Sequence, residues 1–174
     1  MEQQQEVVAL KGIKQILVVR LLEKQGEVDG QKLLYQVEHS TDLSTDSDSV
    51  ITKDGPINTE GTVEEEISIT SIAALGDPTI EELEDAFRNR KVVELWEINT
   101  QSEVGENKFD GLYRQGKLTG FSKSATAEDF VELEITYKTD LTPQKGECTL
   151  SEEQAQVVQY KFIDTVNAGS GTQV

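Results

Sequence analysis

A single thiol, Cys148, and a single imidazole, His39, are all that the 174 residues offer for a cysteine nucleophile with a histidine base. No local signature links them, so the plain reading is a buried, inert thiol. One cysteine and one histidine also exclude a disulfide framework and a zinc site built from Cys and His. Gly111-x4-Gly116-Lys117 has the spacing of a phosphate loop. Leu118, however, stands where a Ser or Thr must hold magnesium, and the stretch reads as strand rather than as a loop entering a helix. Asp42, Ser44, Asp46 and Asp48 alternate like the first ligands of a calcium loop. The sixth position is Ser47 instead of Gly and the twelfth is Lys53 instead of Glu, so a solvated acidic stretch fits better. Glu64-Glu65-Glu66 and Glu132/Glu134 could supply paired carboxylates for acid–base work. In a chain with 33 Asp+Glu, such neighbours arise from abundance alone. Trp96 reads as core, with sugar stacking as its functional alternative. No catalytic constellation, metal site or cofactor site emerges.

The charge balance excludes more. Sixteen Lys+Arg against 33 Asp+Glu give a formal net charge of −17. A protein that grips nucleic acid needs a basic face, and this chain lacks the charge for one. A protein that lets nucleic acid pass without holding it stays admissible. No apolar run approaches the length of a membrane-spanning helix. Met1 to Glu6 has neither a basic n-region nor an apolar core, so synthesis in the cytoplasm is the default.

The elements that must position these residues are mostly strands. Gly12 to Glu23 is rich in β-branched and apolar residues on both faces, as a central strand requires. Asp29-Gly30 reads as a turn, and Leu33 to His39 as a second strand able to form a hairpin with the first. Leu34 breaks its alternation. Ser40 to Gly61 is too polar to bury and reads as a protruding arm with a hairpin tip at Asp54-Gly55. In Thr62 to Ile72, Val63, Ile67 and Ile69 share a face with Glu65. Asp77-Pro78 starts a helix whose inward face is Ile80, Leu83 and Phe87, with Ala86 beside them. Its acidic start and basic end suit the helix dipole. Val92 to Asn99 reads as a buried strand, Ser102 to Lys108 as a polar turn and Phe109 to Lys123 as a long strand or hairpin. In the next strand Val131, Leu133, Ile135 and Tyr137 face the core, while Glu132, Glu134, Thr136 and Lys138 face away. Pro143 to Leu150 reads as loop. Val158, Tyr160 and Phe162 alternate on a last strand, and Asp164 to Val174 reads as a loose tail. The organisation expected is an N-terminal arm over 1–11, one domain over 12–163, and a C-terminal tail over 164–174.

An ordered set of segments carries a resemblance. They are Asp46-Ser-Asp-Ser-Val-Ile-Thr-Lys-Asp-Gly-Pro56, Gly61-Thr-Val-Glu-Glu-Glu-Ile-Ser-Ile-Thr-Ser71, and Gly76-Asp77 with the acidic helix. Further on come Val93-Glu-Leu-Trp-Glu-Ile-Asn99, Tyr113-Arg-Gln-Gly-Lys-Leu-Thr-Gly-Phe121, Ala125-Thr-Ala-Glu-Asp-Phe130, Thr149-Leu-Ser-Glu-Glu-Gln-Ala155 and Tyr160-Lys-Phe162. Together they resemble the major tail proteins, or tail tube proteins, of siphophages and prophages of Gram-positive bacteria. The likeness spans about residues 10 to 165.

The resemblance implies a mainly β (α+β) fold: a β-sandwich or split barrel with one flanking helix and a long protruding loop. It implies a structural protein of the virion, not an enzyme, with no cofactor. Hexameric rings would stack into the tail tube, the conduit for genome delivery. Inner-sheet strands of six copies would join into a continuous barrel around the lumen. Partners would be further copies, a tape-measure protein, and tail-tip and terminator proteins, with no membrane. The loop 40–61 would link rings through Asp42, Asp46, Asp48, Lys53, Asp54, Gly55 and Pro56, helped by the terminal arms. No C-terminal immunoglobulin-like decoration is expected. Glu132 and Glu134, with Glu64 and Glu66, are the lumen candidates, because carboxylates offer passing DNA no phosphate ligands. The other reading of this acidity is repulsion that keeps free subunits apart. The alternative class is a monomeric carbohydrate-binding or adhesion β-sandwich using Trp96 and Tyr113. A small hydrolase using paired carboxylates is the third.

Overall fold

Residues 7–151 and Gln154 are described by a computed structural model. The predicted strand over Val158 to Phe162, the tail from Asp164 and residues 1–6 lie outside these residues. The elements are β1 (Gln15–Leu21), β2 (Gln31–Lys32), β3 (Gln36–Thr45), β4 (Asp48–Thr52), β5 (Gly55–Thr59), β6 (Val63–Ile72), α1 (Pro78–Arg88), β7 (Val93–Gly105), β8 (Lys108–Ser124) and β9 (Glu132–Thr149). Seven strands form one antiparallel sheet in the order β2-β1-β7-β8-β9-β6-β3, and β4-β5 forms a separate hairpin.

The long sheet folds over on itself. The N-terminal half of β8 pairs with β7, from Gly105↔Lys108 to Val93↔Gly116; its C-terminal half, Lys117 to Ser124, pairs among the described residues only with β9. Bulges between Tyr113 and Gln115 and between Leu118 and Gly120 bend it. One layer is then β1, β7 and the first half of β8; the other is the second half of β8, the first half of β9, β6 and β3. Between them lies the core, where Leu17, Val19 and Leu95 meet Ile67, Ile69, Ile135 and Tyr137. The two edges come together at Gln36. Its Oε1 accepts from Leu17 N at 2.9 Å, and its Nε2 donates to Leu17 O and Leu33 O, both at 2.8 Å. This amide occupies the rung that a neighbouring strand would fill, and gives the molecule its split-barrel form. Gly116 admits Tyr137, because a Cβ there would sit 2.1 Å from Lys138 O and 2.9 Å from the Tyr137 ring. The phenol donates to Val93 O at 2.9 Å, and burial pushes its pKa well up.

The helix forms where its signals place it. Asp77 accepts from Thr79 N at 2.9 Å, Pro78 occupies the first turn, and Ile80, Leu83 and Ala86 are buried.

Several expected boundaries move, and the first strand is shorter than Gly12 to Glu23 because Gly12–Lys14 and Leu22–Lys24 are single 3-10 turns. Only Gln31 and Lys32 pair with β1; the chain then turns at Tyr35 (φ 47°) and β3 pairs with β6 instead. The break at Leu34 marks that crossing. Ser40 to Thr45 is the far half of β3, not loop: its polar side chains belong to a wet strand. β7 runs on to Gly105, and the reverse turn is only Glu106-Asn107, with Asn107 suited to its φ of 55°. β9 continues through Pro143 to Thr149; beyond Lys138 it pairs, among the described residues, with β8 on one side only, and an edge strand tolerates proline. Phe109 to Lys123 is one strand, not a hairpin.

Candidate assembly surfaces

The outward face of the β3-β6-β9-β8 layer is a polar field. The pairing places Glu38, Thr70, Glu134 and Ser122 in one row. The next row is Ser40, Ser68, Thr136 and Gly120; the one after is Asp42, Glu66, Lys138 and Lys117; Ser44 and Glu64 follow. Glu132 lies beside Ser124 and Ile72 at the margin. Alternation sends Leu133, Ile135, Tyr137, Ile67 and Ile69 to the core and these residues to solvent. All four lumen candidates, Glu64, Glu66, Glu132 and Glu134, therefore share one exposed face, joined by Glu38 and Asp42. Lys138 answers Glu64 at 3.1 Å. A face this open is no cleft, so its carboxylates cannot exclude water around a substrate.

Directly beneath that field sits a buried polar knot. Arg114, from β8, pairs with Glu65 of β6 and lies 3.2 Å from Glu97 of β7. Thr139 donates to Glu65 Oε1 at 2.9 Å. It ties both layers together across the core. The sequence signal was Glu65 on the face of Ile67 and Ile69; its partner Arg114 carried none.

The opposite layer presents a different outward face. Glu94, wholly buried, accepts from Arg20 Nε at 2.6 Å, Gln25 Nε2 at 3.0 Å and Tyr113 Oη at 2.5 Å. Burial and this carboxylate raise the Tyr113 pKa; the Glu94 bond raises that of Arg20. The Arg20 guanidinium lies 5.0 Å from the Trp96 ring centroid, and the Tyr113 ring 5.2 Å from it. Ile16, Val18, Ile98 and Leu150 form a small cluster with Trp96, Phe109 and Cys148. Gln154 Nε2 donates to Gly30 O at 2.6 Å. Trp96 is thus packed on, and Tyr113 is tied by its hydroxyl; neither is a free platform for a sugar.

The remaining candidates separate. Cys148 belongs to that outer cluster, where burial pushes its thiol up, and His39 sits half-buried on β3, where burial holds its imidazole below the ordinary value. The pair is not brought together. Asp42, Ser44, Asp46 and Asp48 run along β3 into β4 rather than around a calcium loop, and no metal-holding cluster occurs among the described residues. Gly111 to Lys117 is strand.

The arm contains the expected hairpin. Val50 pairs with Ile57 and Thr52 with Gly55 around the Lys53-Asp54 turn. Gly55 takes a φ of 124°, and Thr52 Oγ1 donates to its carbonyl at 2.7 Å. Asp46 meets Gly61 at the base, closely enough that a Cβ there would lie 1.6 Å from Asp46 O. Asp42 lies outside the hairpin, on β3; Asp46 is at its base; Asp48, Lys53, Asp54, Gly55 and Pro56 are within it. Charge concealed the arm's other property. Val50, Ile51 and Ile57 are exposed on it, and β-branched spacing around Asp54-Gly55 was the available signal.

Known proteins agree with this architecture. A family model described as phage tail tube protein matches residues 9–145. A putative tail protein of Staphylococcus phage phiMR25 is 34% identical over 160 residues, covering 87% of this chain and 82% of that one. The solved SPP1 tail tube is similar in structure, with a TM-score of 0.71 at 15% identity over 95% of each chain. The tail of an empty gene transfer agent particle follows, with a TM-score of 0.59 at 12% identity over 78% of this chain and 98% of that one. The extent of the family match and the identity to the staphylococcal phage protein place this chain in the phage tail tube protein family, as a structural component of the virion tail.

Proposed function

We propose that six copies close into a ring, that rings stack into the tail tube, and that the outward face of the β3-β6-β9-β8 layer lines its lumen. The observation that carries this reading is a sheet face whose central rows hold polar side chains and one glycine, backed by a packed core and bounded by two open edges. Among the described residues, β3 has no neighbour beyond β6, and Lys117 to Ser124 of β8 has none beyond β9. Joining the β3 edge of one copy to the β8 edge of the next continues the sheet around a central channel. It also removes edges that otherwise invite uncontrolled pairing. Such a contact is heterologous, so it closes when the rotation fits. The tail of the gene transfer agent particle was refined with sixfold symmetry, which supports six as the number.

The channel would carry the genome during delivery. Glu64, Glu66, Glu132 and Glu134 present repelling charge to phosphate oxygens, so DNA slides without specific binding. The exposed hairpin Asp48–Thr59 would contact the adjacent ring, ordering on docking. The terminal arms would join that contact. Tape-measure, tail-tip and terminator proteins are the partners of such a tube. Negative-stain electron microscopy of concentrated protein across a salt series tests the reading. Hollow tubes with a regular axial repeat are expected; monomers that persist even after addition of tail-tip complex would overturn it. Amide exchange over residues 40–61, fast in the free subunit and slowed in tubes, is the companion measurement, and equal exchange in both would remove the ordering step.

A further inference from the structure

Among the described residues, two non-glycine ones hold a left-handed backbone with a large aromatic or aliphatic side chain in solvent. Tyr35 (φ 47°) is 67% exposed and Leu141 (φ 57°) is 97% exposed. The other two positive-φ residues have local reasons: Arg90 follows the end of α1, and Asn107 makes the β7–β8 turn. Residues with a Cβ disfavour this conformation, and an exposed leucine gains nothing from it within its own chain.

Their positions are opposite. Tyr35 sits where β3 begins: Ile72 N donates to its carbonyl at 3.1 Å, and Ala73 N donates to Val131 O at 2.9 Å beside it. The exposed Leu75 and Phe130 flank those residues in the chain, at the same end of the polar layer. Leu141 sits at the other end. The β6–β9 pairing ends at Glu66↔Lys138 and Thr139 bonds Glu65, so Leu141 follows at the end of the layer where β6 starts with Val63, and Leu43 of β3 stands opposite Glu65 at the same end. Leu43 and Val63 are also exposed. The strands of the polar layer therefore carry exposed apolar side chains at each end.

We propose that these ends are the two halves of one axial contact: Tyr35, Leu75 and Phe130 of one copy seat against Leu43, Val63 and Leu141 of the copy in the next ring. A head-to-tail contact of this kind covers both ends in every copy except those at the tube's extremities, and it repeats without limit along the axis. The arm hairpin begins at the Leu43/Val63 end, so its exposed Val50, Ile51 and Ile57 extend the same contact outward. The inference rests on the tube reading above.

The test uses full-length protein with three substitutions. Leu75→Ser/Phe130→Ser removes one end's apolar bulk. Leu141→Asn removes the other's key side chain while supplying a residue that tolerates the left-handed backbone. Melting temperatures should match wild type within a few degrees. Each lost side chain should weaken ring–ring association by at least about tenfold, so that single rings replace tubes in micrographs and sedimentation. Either variant forming tubes at wild-type concentration and length would overturn the axial contact and leave the tube reading standing. Wild type forming neither rings nor tubes, even when seeded, would overturn both.

Discussion

The two outward faces of the folded-over sheet handle the same residue type in opposite ways. Glu94 on β7 and Glu134 on β9 both point away from the central core. Glu94 is wholly buried and takes hydrogen bonds from Arg20, Gln25 and Tyr113; Glu134 stands in solvent with Thr70 and Ser122 beside it. The first face is finished within the chain, roofed by Arg20, Trp96 and Leu150. The second is left uncovered by the described residues. A bare sheet face with no apolar residue in its central rows needs no cover to be stable in water. It does need a reason to stay polar at every position, and a wet channel supplies one.

The contrast breaks most sharply at the buried carboxylate. Glu94→Ala strands the Arg20 guanidinium and the Tyr113 hydroxyl, and should cost about 3 kcal/mol or more in denaturant unfolding. Glu134→Ala should move stability by no more than about 0.5 kcal/mol. Comparable losses for both would mean that the polar face is held by its own interactions. Next in size is the roof. Leu150→Ala opens the outer cluster around Ile16, Val18 and Ile98, and should cost about 2 kcal/mol or more. Smaller again is a pH effect at His39, which neighbours Glu97 and Arg114 electrostatically. Burial holds its folded pKa below the ordinary value of about 6.5. Between those two values the unfolded chain binds a proton that the folded one does not. Stability therefore rises with pH through that window and is lost as pH falls through it. His39→Gln should flatten this slope in melts between pH 5 and about 7; an unchanged slope would assign it to other groups.

Much of this contrast was readable from the residues alone. The alternation from Val131 to Lys138 specified both faces of β9's first half, and the Asp77-Pro78 start with Ile80, Leu83 and Ala86 specified the helix. Local pattern could not specify partners. β3 leaves β1 for β6 because of a single kink at Tyr35, and strand pairing over that distance leaves no periodic trace. β9's second half was hidden by Pro143 and Gly146, residues that an edge strand accepts and a central one rejects. At the candidate surfaces, the acids of the polar face followed from alternation. The apolar residues of the arm were masked by the charge around them, and Leu141 had no signal at all, since its exposure depends on a bulge that only the β8–β9 register reveals.

The smallest effect on stability should carry the largest effect on transport. Glu132→Lys/Glu134→Lys changes two exposed side chains on the polar face, so folding and tube formation should persist, with melting within a few degrees of wild type. In a hexameric ring the pair would add twelve positive charges and remove twelve negative ones from the channel wall. Phosphates would then find ligands at every ring, and each neutralised contact must release again before the genome advances. Genome ejection should slow at low salt and recover as salt rises, because the attraction is screened and counterion release weakens it. Substitution of Glu27 and Glu103, exposed residues outside the polar layer, by lysine raises net charge equally and should leave ejection unchanged. Normal ejection by the Glu132/Glu134 variant at low salt would move the acids out of the lumen. Slowed ejection in both variants would trace the effect to total charge, and only a difference between them assigns the channel wall to this face.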